Sequence, residues 1–179
     1  PGHEMTGRVV AVNQTRQVKV GDRVAIQIMA GCGSCFYCDR GQPMHCPHLS
    51  YLQGGHGEVV AAPEMCCLAL PDEVDYERGV LLGGDLIGTT YRAVKRLGVK
   101  ASDRVAVLGA GPIGLGVLAL LRFLGARAIV FEVSRYRREL ARQLGAEAVF
   151  DPAETKPADA VRELTQGLGA DMAVDCSGS

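Results

Sequence analysis

The chain has 179 residues, of which 22% are charged, and its formal net charge is −1 at pH 7. This balance gives no electrostatic indication of binding to nucleic acid or to a membrane surface. The hydrophobic fraction of 47% is typical of a globular chain, and the length is sufficient for one large domain or two small ones. No apolar run is long enough for a transmembrane helix, because Arg122 interrupts the longest one.

The first part of the chain has the pattern of an antiparallel β structure. It opens with an imidazole beside a carboxylate, His3 and Glu4, a pair that by itself is most simply an exposed loop feature. Short segments of β-forming residues bounded by glycines then follow. We predict strands over residues 7–12, 21–26, 54–60 and 66–70.

Seven cysteines are many for a chain of this size, and four of them are clustered. The clustered residues are Cys32, Cys35, Cys38 and Cys46. Two-residue gaps allow successive thiolates to converge on one tetrahedral ion, so we predict a structural zinc site with no open coordination position. Two disulfides are the alternative, but adjacent CxxC pairs suit them poorly. The remaining cysteines are expected to pack in the interior: Cys66, Cys67 and Cys176.

A glycine-rich turn organises the second part of the chain. Residues 105–108 are apolar and predict a buried parallel strand, after which the glycines have the spacing of a dinucleotide-binding turn. In such a turn the glycines allow a tight bend, close approach of the backbone to a pyrophosphate, and close packing of helix on strand. The N-terminus of the next helix offers free N–H groups to phosphates. The predicted cofactor-binding residues here are Gly109, Gly111, Pro112, Ile113 and Gly114.

The residues after this turn extend the same pattern. We predict an apolar helix over residues 113–124, capped by Gly125, and a second strand over residues 128–131. Glu132 follows that strand, 18 residues after Gly114, where the acidic residue that binds an adenosine ribose is expected. A carboxylate there would repel a 2′-phosphate, so NAD is favoured over NADP. The alternative is that Glu132 is a solvated loop carboxylate.

Three arginines, Arg135, Arg137 and Arg138, follow Glu132 and allow two interpretations. As a basic cluster they would tolerate a 2′-phosphate, whereas on a helix running to Leu144 they would form an exposed face. We interpret two of the three as exposed and keep Arg137 as a cofactor-binding candidate. Further predicted elements are a helix over residues 136–144, a strand over 148–150, a helix over 158–165 and a strand over 172–175.

Together these ordered motifs resemble the zinc-containing medium-chain alcohol dehydrogenase family. The resemblance runs from a GHExxGxV opening at Gly2, through a GDRV turn at Gly21 and the cysteine cluster, to the turn at Gly109. It implies an α/β protein with a GroES-like catalytic domain in residues 1–95 and a Rossmann NAD-binding domain in residues 96–179, both incomplete. The implied cofactors are structural zinc, catalytic zinc and NAD.

The resemblance also implies the catalytic site. His3 corresponds to a zinc ligand, and Glu4 corresponds to the adjacent carboxylate that ligates zinc in some states. Asp85 falls where the family has another ligand, after a glycine pair and at the start of a helical stretch. The alternative for Asp85 is an N-cap, which aspartate often supplies.

The implied activity is hydride transfer between an alcohol and NAD, with a secondary alcohol or polyol as the expected substrate class. The resemblance further implies a cytoplasmic enzyme that forms a homodimer or homotetramer, with no nucleic-acid or membrane partner. The family has another zinc cysteine and a proton relay before the GHE motif, and more strands after the last one here. We therefore expect an internal fragment, about half of such an enzyme, that is inactive alone.

Two other functions stay open at this point. A zinc-free quinone or enoyl reductase of the same superfamily would share the Rossmann half, but would usually lack the His3–Glu4 pair and the cysteine cluster. A non-catalytic zinc-binding module that contacts nucleic acid would explain the cysteines. It would not explain Glu132 or the glycine turn, and the basic surface that it needs is missing.

Overall fold

The computed structural model describes residues 2–178 and divides the chain into two compact units, Pro1–Asp85 and Leu86–Ser179. The division falls at the start of a helix, α3 (Asp85–Leu97). The domain boundary predicted after residue 95 lies near the end of that helix, and the assignment of residues 1–95 and 96–179 to two domains stays a prediction.

The first unit is built on an antiparallel sheet with the strand order β1–β2–β5. Its strands are β1 (Met5–Arg8), β2 (Arg23–Ile26), β3 (Met29–Ala30), β4 (Ser50–Tyr51) and β5 (Cys67–Ala69), of which β3 and β4 form a separate antiparallel pair. Its helices are α1 (Phe36–Asp39) and α2 (Tyr76–Gly83), with 3₁₀ turns at Pro43–His45 and Glu64–Cys66. The core is small, and its buried residues are Met5, Val24, Ile26, Ala30 and Cys66.

The strand predicted over residues 54–60 is wrong, because this segment forms a tight turn followed by a loop. Gly54 adopts a φ of 88°, and its carbonyl accepts a hydrogen bond of 2.8 Å from the N–H of Gly57. Val59 is 73% exposed, so its apolar side chain does not mark a buried face. Glycines at this density weaken strand pairing and favour a turn. The strand predicted over residues 7–12 lies earlier than expected, at Met5–Arg8.

The second unit contains four parallel strands in the order β8–β7–β6–β9. Its strands are β6 (Arg104–Leu108), β7 (Arg127–Phe131), β8 (Ala148–Phe150) and β9 (Met172–Asp175). Besides α3, its helices are α4 (Pro112–Leu124), α5 (Arg135–Gln143) and α6 (Pro157–Leu164). The seven elements predicted from residue 105 onward are confirmed, with ends that agree to within one residue.

Apolar layers cover both faces of the parallel sheet. Val107 packs in one cluster with Leu118 of α4, whereas Ile129 packs in another cluster with Val161 of α6. Successive side chains of a strand point to opposite faces, so strands covered on both faces read as continuous apolar runs. The strand order reverses between β6 and β9, and ligands bind at such a reversal, outside the carboxyl ends of the strands.

Across residues 2–178, no helix combines the length and the apolar character that crossing a membrane requires.

Candidate metal centres and cofactor site

The four cysteines predicted to bind structural zinc converge in the structure. The Sγ atoms of Cys32, Cys35, Cys38 and Cys46 all lie within 4.8 Å of one another, and those of Cys35 and Cys46 are 3.8 Å apart. Two thiolates on a tetrahedral zinc ion, each with a Zn–S distance of about 2.3 Å, would lie about 3.8 Å apart. The sulfur positions therefore fit four-sulfur zinc coordination.

Backbone groups around the cluster are arranged to support thiolates. The N–H groups of Cys32 and His48 each donate to the Sγ atom of Cys46 at 3.3 Å. Such outer hydrogen bonds orient metal ligands and stabilise their charge. Gly31 is needed for space, because a Cβ atom at this position would lie 2.6 Å from the Sγ atom of Cys38.

The thiols of the cluster differ in pKa. A backbone hydrogen bond from Ser34 lowers the pKa of Cys32 to about 6. The backbone of Gly33 also donates to Cys38, but partial burial and the neighbouring cluster sulfurs raise the pKa of Cys38 to about 11. With the sulfur atoms this close, repulsion between negative charges opposes ionisation of all four thiols at once. A divalent cation would offset this repulsion, because the thiolate is the form that binds metal.

The other cysteines are packed, as predicted. Cys66 is fully buried, and its Sγ atom lies 3.6 Å from the carbonyl oxygen of Met29. Cys67 and Cys176 are half-buried. Burial raises the pKa of all three thiols, which therefore stay protonated and unreactive at neutral pH.

The residues predicted for the catalytic zinc site come together in part. The Nε2 atom of His3 lies 3.2 Å from the Oδ2 atom of Asp85, and these side chains are 57% and 61% exposed. The contact joins residues far apart in sequence, and it places Asp85 at the first position of α3 with its carboxylate facing an imidazole. Glu4 lies against Gly84, where a Cβ atom would overlap the Glu4 side chain. Gly84 thus leaves the space for Glu4 next to Asp85.

Within residues 2–178, the four cysteines are the only group of three or more candidate ligands whose atoms approach this closely. His3 and Asp85 therefore form a two-ligand pair with Glu4 close to it, rather than a closed metal cage. An exposed pair suits an open metal site, in which one coordination position must stay accessible to substrate.

The glycine turn has the geometry that its sequence predicts. Gly109 adopts a φ of 89°, and a Cβ atom there would lie 2.9 Å from the carbonyl oxygen of Cys176. Gly114 lies so close to the carbonyl of Gly109 that no side chain fits between them. A Cβ atom at Gly111 would meet only the Nη1 atom of Arg137, at 3.9 Å, so this face of the turn is open. The turn fits a phosphate group at the N-terminus of α4.

Glu132 is 5% exposed, which rules out the alternative of a solvated loop carboxylate. Its Oε2 atom accepts a hydrogen bond of 2.7 Å from the N–H of Ala110, and its Oε1 atom accepts one of 2.8 Å from the N–H of Ser134. An ionised carboxylate offers about four acceptor positions. Two positions thus remain for ribose hydroxyls, and the role of Glu132 as ribose partner stays a prediction.

Of the three arginines after Glu132, Arg135 is exposed as expected, whereas the expected exposure of Arg138 is wrong and the cofactor contact of Arg137 stays a prediction. Arg135 and Arg137 are exposed, whereas Arg138 lies 2.6 Å from the carboxylate of Asp151 and both of these side chains are largely buried. Sequence reasoning missed the role of Arg138. It also missed Ser134, the N-cap of α5, although a serine directly before a helix is a usable signal.

Comparisons with known proteins agree with this geometry. Residues 1–72 match the family described as alcohol dehydrogenase GroES-like domain, and residues 112–179 match the family described as zinc-binding dehydrogenase. An uncharacterized zinc-type alcohol dehydrogenase-like protein of Escherichia coli is 38% identical over 99% of this chain and 52% of its own length. The scyllo-inosose 3-dehydrogenase of Thermotoga maritima is 36% identical over 99% of this chain and 50% of its own length.

The solved structure of alcohol dehydrogenase TADH from Thermus sp. ATN1 has a TM-score of 0.93 to this chain and 29% sequence identity. The match covers 99% of this chain and 55% of the Thermus chain. This chain thus spans about half the length of the curated relatives that it matches. With both family matches in the expected order along the sequence, the chain belongs to the zinc-containing medium-chain alcohol dehydrogenase family.

Proposed function

We propose that the full-length protein is a zinc-dependent dehydrogenase that transfers a hydride between a secondary alcohol or polyol and NAD. The observation that carries the proposal is the 3.2 Å contact between His3 and Asp85, two metal-ligating residue types brought together from distant parts of the sequence. The relatives named for scyllo-inosose and D-arabitol phosphate support the polyol class.

In the catalytic domain, proposed as residues 1–95, His3 and Asp85 would hold the metal through Nε2 and Oδ2. Glu4 lies beside Gly84 and offers a further carboxylate for an exchangeable third contact. When bound, zinc supplies Lewis-acid stabilisation of an alkoxide and NAD supplies a hydride acceptor. His3 would ligate the metal as the neutral imidazole.

In the Rossmann domain, proposed as residues 96–179, the turn from Gly109 to Gly114 would hold the pyrophosphate against the N-terminus of α4. Glu132 would accept hydrogen bonds from the ribose hydroxyls, and the exposed Arg137 next to Gly111 would contact the nucleotide. The negative charge of Glu132 favours NAD over NADP.

The four-cysteine cluster would hold a structural zinc, separate from the chemistry. Its free thiols suit a reducing compartment, so we include a cytoplasmic location in the proposal. The family resemblance supports a homodimer or homotetramer for the full-length enzyme.

The test is NADH formation by the full-length protein from a panel of polyols and secondary alcohols. His3→Ala and Asp85→Asn should lower the rate about a hundredfold or more, because even outer-shell changes around a metal cost 10–100-fold. Both variants should keep the structural zinc while losing the catalytic one. Asp72→Asn is the matched control, since Asp72 has a side chain that is 98% exposed. Full activity of Asp85→Asn would contradict the ligand assignment.

A further inference from the structure

Glu132 faces the protein backbone as well as the place expected for a ribose. We propose that Glu132 is a positioning residue that fixes the glycine turn before any cofactor binds, an inference that rests on the proposed function of that turn. Ribose recognition would be a second use of a carboxylate that is already engaged.

The hydrogen bond to Ala110 carries the argument. Ala110 lies inside the glycine turn and is 1% exposed, so its N–H has no access to solvent. The Oε2 atom of Glu132 satisfies this N–H at 2.7 Å. A buried N–H that loses its partner is costly, so the turn would have to open or shift if the carboxylate were removed.

The carboxylate is itself held in place. Its second oxygen accepts from the N–H of Ser134 at 2.8 Å. The Nη1 atom of Arg138 donates to the carbonyl oxygens of Glu132 and Val133 at 2.9 and 2.6 Å, and the same atom lies 2.6 Å from a carboxylate oxygen of Asp151. The corner after β7 is thus fixed by its backbone and by a largely buried ion pair. Because this corner is fixed, the Glu132 carboxylate can hold the N–H of Ala110, and with it the glycine turn, in one position.

Ligands with and without phosphate groups should respond differently to loss of the Glu132 carboxylate. A ligand that contacts the turn through its phosphates depends on how well the turn is preformed, because ordering a loose turn reduces affinity. A ligand with ribose and base alone does not need the turn. Loss of the hydrogen bond between Ala110 and Glu132 should therefore weaken ADP binding more than adenosine binding. If Glu132 contacted only the ribose, both ligands would be weakened equally.

Two substitutions isolate this role. Glu132→Gln replaces one carboxylate oxygen by an NH₂ group, which cannot accept a hydrogen bond from the N–H of Ala110 or Ser134. Glu132→Asp keeps the charge on a shorter stem; it can still accept from the N–H two residues on, as in an Asx turn, but loses its reach to Ala110. Glu139→Gln is the matched control on an exposed position of α5.

The first measurement is amide hydrogen exchange at Ala110 in the ligand-free 179-residue chain. In wild type and in Glu139→Gln this amide should be protected, and in Glu132→Asp and Glu132→Gln it should exchange at least about tenfold faster. An Ala110 amide that exchanges equally fast in wild type and in Glu132→Asp would overturn the proposal.

The second measurement is calorimetric binding of ADP and of adenosine to the same proteins. Glu132→Asp should weaken adenosine through its lost ribose contacts and should weaken ADP by about a further tenfold, because only ADP contacts the turn through phosphates. Equal weakening of both ligands would overturn the positioning role and leave the proposed function intact. A wild-type chain that shows the predicted exchange at Ala110 but binds no ADP would instead contradict the proposed cofactor site.

Discussion

The two units of the chain are stabilised by different kinds of interaction. The second unit buries apolar residues on both faces of a parallel sheet, and its largest fully buried side chains are Leu118, Leu121 and Ile129. The first unit has a core cluster of five buried residues, and polar contacts tie its loops: the cysteine cluster and the Glu64 carboxylate bound to backbone N–H groups. Apolar packing should therefore maintain the second unit without ligands, whereas residues 31–49 of the first unit should depend on a metal ion.

Removal of one cluster cysteine should have the largest effect. Cys38→Ser should release the structural zinc and unfold residues 31–49, because apparent binding free energies of structural zinc reach about 10–16 kcal/mol and this segment has few buried apolar residues. Metal analysis combined with amide hydrogen exchange measures both changes. Amides of β6 and β7 in the second unit should keep their protection.

Cys67→Ser is the matched control for this experiment, because Cys67 is half-buried and lies outside the cluster. It should retain the zinc. If Cys38→Ser lost its zinc while residues 31–49 stayed protected, the contrast between the units would be wrong.

A cavity in the second unit should have the next largest effect. Leu118 is 1% exposed, and Leu118→Ala should lower the free energy of unfolding by about 3 kcal/mol. Leu168→Ala, at a position that is 91% exposed, should change it little. Urea titrations measure both, and the zinc content of Leu118→Ala should match wild type. A loss of zinc in Leu118→Ala would show that the units are not stabilised separately.

A smaller effect is expected where an ion pair supplements the packing of the second unit. Arg104 and Glu147 form paired hydrogen bonds, the shortest of 2.8 Å, and each side chain is 26% exposed. These bonds to Arg104 hold the pKa of Glu147 below its usual range. The contribution to stability is therefore present above the unfolded-state pKa of about 4.3 and is lost as the pH falls through the lower folded-state pKa.

Glu147→Gln should accordingly lower the free energy of unfolding by about 1 kcal/mol at pH 7. The difference from wild type should shrink in urea titrations as the pH falls below about 4. A difference that stays constant over this range would show that the contribution is not that of a charged carboxylate.

The smallest effect concerns one loop of the first unit. The Oε1 atom of Glu64 accepts hydrogen bonds from the N–H groups of Arg16 and Val18 at 2.8 and 2.9 Å, and from that of Gln17 between them. These bonds, led by that of Gln17, lower the pKa of Glu64. Glu64→Gln should reduce the amide protection of residues 16–18 at neutral pH, with Glu58→Gln as an exposed control.

In wild type, this protection should be present above the ordinary carboxylate range and be lost as the pH falls through the lowered pKa of Glu64. Equal protection of residues 16–18 in wild type and in Glu64→Gln at neutral pH would mean that the charge of Glu64 does not order the loop.

The second unit was predictable because its signals are local. An apolar strand, a glycine turn and a helix capped by Gly125 follow one another directly, and the structure reproduces them. The first unit pairs residues from distant segments, such as Ile26 of β2 with Cys67 of β5, and no local pattern specifies that pairing. Residues 54–60 were predicted as a strand but form a turn and loop, because their glycines favour a turn over strand pairing.

The candidate sites divide in the same way. Two-residue spacing brings Cys32 and Cys35 together through the local backbone, so their convergence was readable from the sequence. The contact of His3 with Asp85 is non-local and was expected only from the family resemblance. The hydrogen bond from Ala110 to Glu132 depends on which way a buried side chain turns, and spacing carries no information about that.

The most direct test of the metal dependence of the first unit is zinc X-ray absorption on the purified chain, combined with metal analysis. We predict one tightly held zinc per chain, coordinated by four sulfur atoms at about 2.3 Å, unchanged in His3→Ala and lost in Cys38→Ser. A folded chain that holds no zinc, or whose zinc is bound mainly by nitrogen and oxygen, would contradict the structural role assigned to the cysteine cluster.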